Sequence, residues 1–389
     1  MSAVTLEAEE ARAFLVAHHG LSRITLPRGT RGVRALLSQL QCIQLDPLDP
    51  MGTNADLVAL ARVDGIARGD VYSALFPGHA FEHFAKERCI LPASAFPFYR
   101  DELVEARWWR TQMREERLPP GVLEKVLHEV RARGPVSAED LVDHGQVERL
   151  DWSGWKGTPR ATSMALEVLW SRCAVVVCGR RRGAKLYDVP ERALPDVASS
   201  PRPHRGGDFA RWALLVRVEA AGLLSRAGGA TWSMLDPARR SPLPDALVAE
   251  GLLEQVTVTG SSRPYLAPAG FRDRPRPRED DRMRILGPLD PLIWDRALVR
   301  TAFDFDYVWE VYKPAAQRRW GWYVCPLLHR GRLVGRLEGT VEKDTLRIAR
   351  IWREAKARLD DDALDAALDR HARACRASRV VRPRRVLLS

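Results

Sequence analysis

Apolar residues recur at helical spacing through Val122, Leu123, Val126, Leu127 and Val130, which predicts an amphipathic helix that stops at Gly134-Pro135. Ser137 stands three residues before Asp140, the spacing of a capping box with Asp in place of the commoner Glu, so a short helix is expected there. A third helix fits about Arg160 to Arg172, with Met164, Leu166, Leu169 and Trp170 for packing. Ala174 to Cys178 then reads as a strand rich in β-branched residues, followed by the turn Gly179-Arg-Arg-Arg-Gly183 and a second strand over Lys185 to Tyr187. Three helices and a hairpin describe a winged helix with the hairpin as its wing. A wing carrying Arg180, Arg181, Arg182 and Lys185 is placed to touch a phosphate backbone.

The order recurs more faintly. Phe209 to Leu224 and Pro244 to Glu250 read as helices, and Leu252 to Val258 and Arg263 to Leu266 as strands around a Gly260 turn. Helices are also expected at Leu6 to His18 and at Gly32 to about Ile43. Arg272 to Arg284, with Pro275, Pro277 and interleaved acids, reads as a linker. Beyond it, β-prone runs at Tyr307 to Tyr312, Trp320 to Leu328, Arg332 to Leu337 and Leu346 to Ile351 alternate with Gly and Pro turns, and Ala355 to Arg373 is a terminal helix. The expected fold class is α+β, with tandem winged-helix domains followed by a small C-terminal β-barrel. The expected boundaries are 1–118 (winged-helix-like), 119–200 and 201–270 (second and third winged helices), 271–284 (linker), 285–354 (β-barrel) and 355–389 (terminal helix and basic tail).

Composition narrows the partners. The 389 residues are 46% hydrophobic and 29% charged, an ordinary globular balance, and no apolar run approaches the ~20 residues needed to span a bilayer. The acidic N-terminus (Glu7, Glu9, Glu10) lacks the basic region of a secretory signal, and six scattered Cys fit reduced thiols, so a cytoplasmic, nucleoid-associated protein is expected. The net charge of +11 and pI near 9.7 point to a polyanionic partner. Seven of the basic residues are Lys and the rest Arg, a bias that a GC-rich genome explains without function. Placement is more informative: one cluster lies at Arg180 to Lys185 and another at Arg376, Arg379, Arg382, Arg384 and Arg385.

The predicted helix carrying Val33, Leu36, Leu37 and Leu40 runs into Gln44-Leu45-Asp46-Pro47-Leu48-Asp49-Pro50. Pro47 disfavours helical geometry at Asp46, so the segment should be extended, with Gln44 and Asp46 on one face and Leu45 turned to the core. An amide beside a carboxylate can position and activate a water. The competing reading is that Asp46 and Asp49 are turn residues before Pro.

At this motif the sequence resembles the winged-helix DNA glycosylases of the AlkZ/YcaQ type, whose signature is Gln-apolar-Asp. The likeness continues through Phe84-Ala-Lys-Glu-Arg-Cys-Ile-Leu-Pro92, Tyr187-Asp-Val-Pro-Glu-Arg-Ala-Leu-Pro195, Leu289-Asp-Pro-Leu-Ile-Trp-Asp-Arg296, Gly321-Trp-Tyr-Val-Cys-Pro-Leu-Leu-His329 and Leu333-Val-Gly-Arg336. The resemblance implies excision of N7-alkylated purines, including unhooking of interstrand crosslinks, with Gln44 and Asp46 as the catalytic pair and no metal or cofactor. It implies double-stranded DNA with alkylated bases as partner. No dimerisation segment is evident, so a monomer is expected. One departure stands out: an Arg position of the family is occupied by Thr53.

Other features compete for attention. His79-Ala-Phe-Glu-His83 fits the H-x-x-E-H pattern of inverted zinc peptidases, but Pro77-Gly78 directly before it leaves His79 barely inside any helix, so packing or capping is the expected role. Neither the Cys173 and Cys178 spacing nor any phosphate-loop motif gives another site. Trp108-Trp109, Trp152, Trp155, Trp320 and Trp322 are candidates for base stacking or for core packing. Of these, Trp320 and Trp322 with Arg318 and Arg319 are the better DNA-facing group. Two functions follow: a monofunctional DNA glycosylase, or a non-catalytic winged-helix DNA-binding regulator in which Gln44 and Asp46 are structural.

Overall fold

The N-terminal run expected as one helix from Leu6 divides at Glu7. In the structure, a computed structural model describing residues 4–151, 156–201 and 208–389, Val4–Leu6 is a strand and Ala8–His18 the helix. The Glu10 carboxylate accepts the Glu7 backbone N–H at 2.9 Å, fixing where the helix starts. Val4–Leu6 pairs in parallel with Leu253–Val258, at the edge of a four-stranded sheet that continues through Tyr265–Pro268 to Leu224–Ser225. The helix expected from Phe209 is Asp208–Ala221, and the one from Pro244 is Leu243–Ala249. No helix among the described residues is long and apolar enough to cross a membrane.

The chain divides into two compact units. The first comprises Met1–Val71, Ala213–Trp232 and Asp236–Ser389. At its C-terminus, where a small β-barrel is expected, the sheet forms a half-barrel. Arg284–Ile285, Val324–His329, Arg332–Glu342 and Thr345–Arg353 run antiparallel in that order, and Arg379–Val381 and Leu387–Leu388 add to Thr345–Arg353 as short parallel strands. Tyr307 to Tyr312 forms no strand. Its groups bond elsewhere: the Tyr307 hydroxyl donates to the Val324 carbonyl at 2.5 Å, and the Glu310 carboxylate accepts the backbone N–H groups of Arg319 and Trp320. An unforeseen helix, Arg296–Phe303, is capped by Asp295, whose carboxylate accepts from the N–H groups of Ala297 and Leu298. The apolar face of the sheet (Cys325, Leu337, Ile348), with Tyr323 just before its strand Val324–His329, packs on Leu364 and Leu368 of the terminal helix Asp361–Ala374 and on Met51 and Leu57. That core is where the Gln-apolar-Asp segment is fastened. The segment read as a linker is itself tied down: Arg274 makes a bidentate bond to Glu219 at 2.5 and 2.8 Å, and Arg284 is buried.

The second unit is Tyr72–Trp212 with Ser233–Leu235. It contains the hairpin Ala80–Ala85/Glu87–Pro92, the helices Val122–Arg133 and Ala161–Ser171, and the hairpin Val176–Arg181/Ala184–Asp188. The helix expected after Ser137 is absent. The capping exchange does form, with the Ser137 N–H and hydroxyl donating to Asp140 at 2.7 and 2.8 Å, but it closes a single turn. The second hairpin, expected as a wing, turns at Arg182-Gly183, both at positive φ (51° and 84°), the pairing that matches strand twist in a two-residue turn.

Candidate active site

Gln44 ends a two-residue strand, Ile43–Gln44, and no regular structure follows until the helix Asn54–Leu60. Ile43 and Met51 are fully buried and anchor the two ends of this loop. Leu45, expected to point into the core, is only half-buried, and the fully buried residue of the segment is Ile43. Gln44 is 7% exposed, and its carbonyl accepts the Asn54 side-chain N–H at 2.8 Å. The Asp46 Oδ1 accepts the Leu48 N–H at 2.8 Å, an Asx turn that fixes the carboxylate while Oδ2 accepts nothing from the described residues. Burial raises the Asp46 carboxyl above its ordinary range, with the Leu48 bond opposing it.

Residues far off in sequence hold this loop. The Asn54 side-chain oxygen accepts the Leu289 N–H at 3.2 Å, and a Cβ at Gly287 would lie 2.5 Å from that oxygen, so Gly287 keeps the approach open. Next to it the fully buried Arg62 grips Asp290 bidentately at 2.7 and 2.8 Å and also donates to the His19 carbonyl at 2.6 Å. The Pro50 carbonyl accepts the Val341 N–H at 2.7 Å, and the Met51 carbonyl lies 2.7 Å from His371 Nε2. Burial pushes His371 down to about 4, so the ring is neutral at pH 7 with Nε2–H as donor.

The Thr53 departure has a structural account. Its hydroxyl accepts the Asp56 N–H at 3.2 Å and donates to the Asp56 carboxylate at 2.8 Å, which makes Thr53 the N-cap of the Asn54–Leu60 helix. A cation reaches the loop from elsewhere: Arg68 Nη2 bonds the Asp49 carboxylate at 2.5 Å. Sequence reasoning also missed Tyr323. Its ring is buried in the core beneath the loop, and its hydroxyl has no partner among the described residues. Burial keeps that phenol protonated, and Cys325, Asp46 and Asp49 act in the same direction. Neither Arg68 nor Tyr323 carries a spacing signal.

The candidate DNA contacts fare unevenly. Arg180 turns inward: it bonds the fully buried Glu82 at 2.6 Å and lies 5.0 Å from the Tyr72 ring centre. Burial alone would raise Glu82, but Arg180, Arg88 and Lys185 hold its carboxyl below the usual range. Lys185 belongs to the same cluster, with its ammonium 5.9 Å from the Trp170 ring centre, and burial pushes it down to about 7. Both cations compensate the buried Glu82 carboxylate, which requires opposite charge nearby. Arg181 pairs with Asp140 and stays half-exposed, and Arg182 projects from the turn. In the first unit Trp320 is a correction: it is 3% exposed, with Arg336 and Arg319 lying 4.0 and 4.3 Å from its ring centre, and stacking on a base would require opening the core. Trp322 is exposed, Arg318 donates to the Lys313 carbonyl, and Arg319 reaches Asp306 at 3.7 Å. In the basic tail Arg382 is neutralised by Asp361 and Asp365, whereas Arg379, Arg384 and Arg385 are exposed.

Trp109 packs among Phe84, Trp108 and Trp170, as a core residue does, and Trp152 and Trp155 lie outside the described residues. His79-Ala-Phe-Glu-His83 runs along the strand Ala80–Ala85, where Glu82 and His83 face opposite ways. His83 stacks on Trp170 at 5.0 Å, and no grouping of three metal-ligating residues occurs among the described residues.

Comparison with known proteins agrees with this architecture. The family model for AlkZ-like DNA glycosylases matches residues 37–374, which include Gln44-Leu45-Asp46 and the sheet and helix that fasten it. Among solved structures, Streptomyces sahachiroi DNA glycosylase AlkZ is similar in fold, with a TM-score of 0.61 at 17% identity over 99% of this chain and 100% of that one. With its motif loop held between the half-barrel and the terminal helix, the chain belongs to the AlkZ-like DNA glycosylase family.

Proposed function

We propose that the protein is a monofunctional DNA-repair glycosylase that acts as a monomer and hydrolyses the N-glycosidic bond of N7-alkylated purines, including those joined in interstrand crosslinks. An N7-alkylated purine is cationic and departs as a neutral base, so no general acid is required. What remains is to stabilise the oxocarbenium-like sugar and deliver water. The observation that carries the reading is the Asp46 carboxylate, pinned through Oδ1 while Oδ2 accepts nothing from the described residues. A carboxylate ~4 Å from unit positive charge contributes ~4 kcal/mol at an effective dielectric of ~20, roughly a thousandfold in rate before desolvation is subtracted. Asp46 acts as electrostatic stabiliser or as base for the water, and Gln44 positions that water. Arg181, Arg182, Arg318, Arg319 and Trp322 are the proposed contacts to the DNA backbone, Arg180 and Lys185 supporting the wing from inside. A crosslinked base is too bulky to be swung into a closed pocket, so the reading does not require base flipping.

The test is single-turnover incubation with duplex DNA carrying N7-methylguanine, and separately a nitrogen-mustard crosslink, followed by cleavage at abasic sites. The expected result is excision by the wild type and a roughly thousandfold loss in Asp46→Asn. Equal release by both proteins would remove Asp46 from catalysis.

A further inference from the structure

The first unit contains a cleft lined in part by His371, the residue whose Nε2 lies 2.7 Å from the Met51 carbonyl of the motif loop. Its volume is about 350 Å³, and its polar lining is Arg28, Asp64, Arg282, Arg284, Arg370 and Arg373 together with His371. Five guanidiniums thus face one carboxylate. Asp64 is spent on Arg282, at 2.7 and 3.3 Å, and Arg284 is satisfied by Asp280 from outside the cleft, at 2.8 and 3.0 Å. Arg370 donates to the Met283 carbonyl at 2.6 Å, and neither it nor Arg373 has a carboxylate partner among the described residues. Arg28 lies 3.9 Å from the Asp64 already engaged by Arg282.

We propose that this cleft is a binding site for a phosphoryl group, held by Arg370 and Arg373 with Arg28 and Arg282 at its rim. Several guanidinium forks converging on one space match an acceptor with three or more oxygens better than a single carboxylate. Burial and the neighbouring Arg282 and Arg284 charges push Arg370 down to about 10, a strain that a bound anion relieves. His371 adds no charge, because its ring is neutral and engaged with Met51. The cleft holds a phosphate with its ester substituents, whether supplied by the DNA backbone or by a free phosphate ester. The proposal does not rest on Asp46 being catalytic.

Two probes separate the sources: inorganic phosphate titrated calorimetrically at low salt, and an unmodified duplex followed by fluorescence anisotropy at several salt concentrations. Both are applied to the full-length wild type, Arg370→Gln and Arg373→Gln, with Arg347→Gln on an exposed strand as charge control. Arg373 is exposed, so its variant tests the site even if Arg370→Gln unfolds. If the cleft takes a free phosphate ester, the wild type binds phosphate and each cleft variant loses roughly tenfold or more, with duplex affinity unchanged. If it takes the DNA backbone, phosphate competes with duplex and each variant lowers the salt slope by about 1 relative to the control. Absence of phosphate binding, together with duplex affinity equal to the control, overturns the proposal. All these readouts are binding, so they stand apart from excision and from the fate of Asp46→Asn.

Discussion

Tyr323 carries its hydroxyl into an apolar core beneath the motif loop, with no acceptor among the described residues. A buried hydroxyl without a partner is destabilising, so Tyr323→Phe should raise the unfolding free energy by about 1 kcal/mol. If the hydroxyl serves the water or sugar beside Asp46, the same substitution should slow excision by roughly tenfold. A thermal melt and an N7-methylguanine release assay on one preparation check both, and unchanged excision would reduce Tyr323 to packing. Asp46 carries a pH signature as well. Protonation removes the charge that opposes the sugar cation, and burial raises the carboxyl above the ordinary aspartate value of 3.8. The acid limb of the single-turnover rate should therefore lie above that value, activity being present at higher pH and lost as pH falls through it. A limb at or below the ordinary carboxylate value would show that Asp46 is solvated in the complex.

The Arg-rich hairpin Val176–Arg181/Ala184–Asp188 illustrates what an element can and cannot reveal in advance. Its strands and its Arg-rich turn were legible from the β-branched run and the two flanking glycines, but which arginines face outward was not. Burying Glu82 draws Arg180 and Lys185 inward, and that partner lies 98 residues from Arg180. Arg181→Gln with Arg182→Gln should thus lower the salt slope of duplex binding by about 2. Arg180→Gln should act on stability, by about 2 kcal/mol, because it leaves Glu82 short of charge. Urea melts beside binding isotherms separate the two, and a reversed pattern would place Arg180 on the DNA. The same limit applied elsewhere. The apolar stripes of Val122–Arg133 and Ala161–Ser171 were readable because helical periodicity is local. Tyr307 to Tyr312 has strand composition, yet its polar groups are taken by Val324, Arg319 and Trp320. Gln44 and Asp46 were visible as neighbours in sequence. Asn54, Arg68, Tyr323 and His371, which hold or face the loop that carries them, were not, because tertiary contacts leave no spacing to read.

At the scale of the whole molecule, much of the Arg excess is structural. Arg62 is locked to Asp290, Arg284 to Asp280, and Arg336 lies between Trp320 and Phe305 while bonding Glu354, so the net charge overstates the surface available to DNA. Buried histidines add a global pH response. Burial pushes His83 in one unit and His371 in the other down to about 4 from the ordinary histidine value of 6.5. Above 6.5 both rings are neutral whether the chain is folded or not. Between about 6.5 and 4 the unfolded chain takes up protons that the folded chain refuses, so stability falls with pH across that window by about 1 kcal/mol per pH unit for each ring. Raised carboxyls such as Asp46, Asp56 and Glu167 work the other way, since they protonate earlier in the folded state, and the net slope is correspondingly smaller. The ring's own share is isolated by His371→Gln, which keeps a donor for the Met51 carbonyl but cannot titrate. Urea unfolding at pH 7 and pH 5 should show the wild type losing more stability than the variant, by about 1 to 2 kcal/mol over that interval. Equal losses would mean that His371 is charged in the fold, contrary to its burial against Met51.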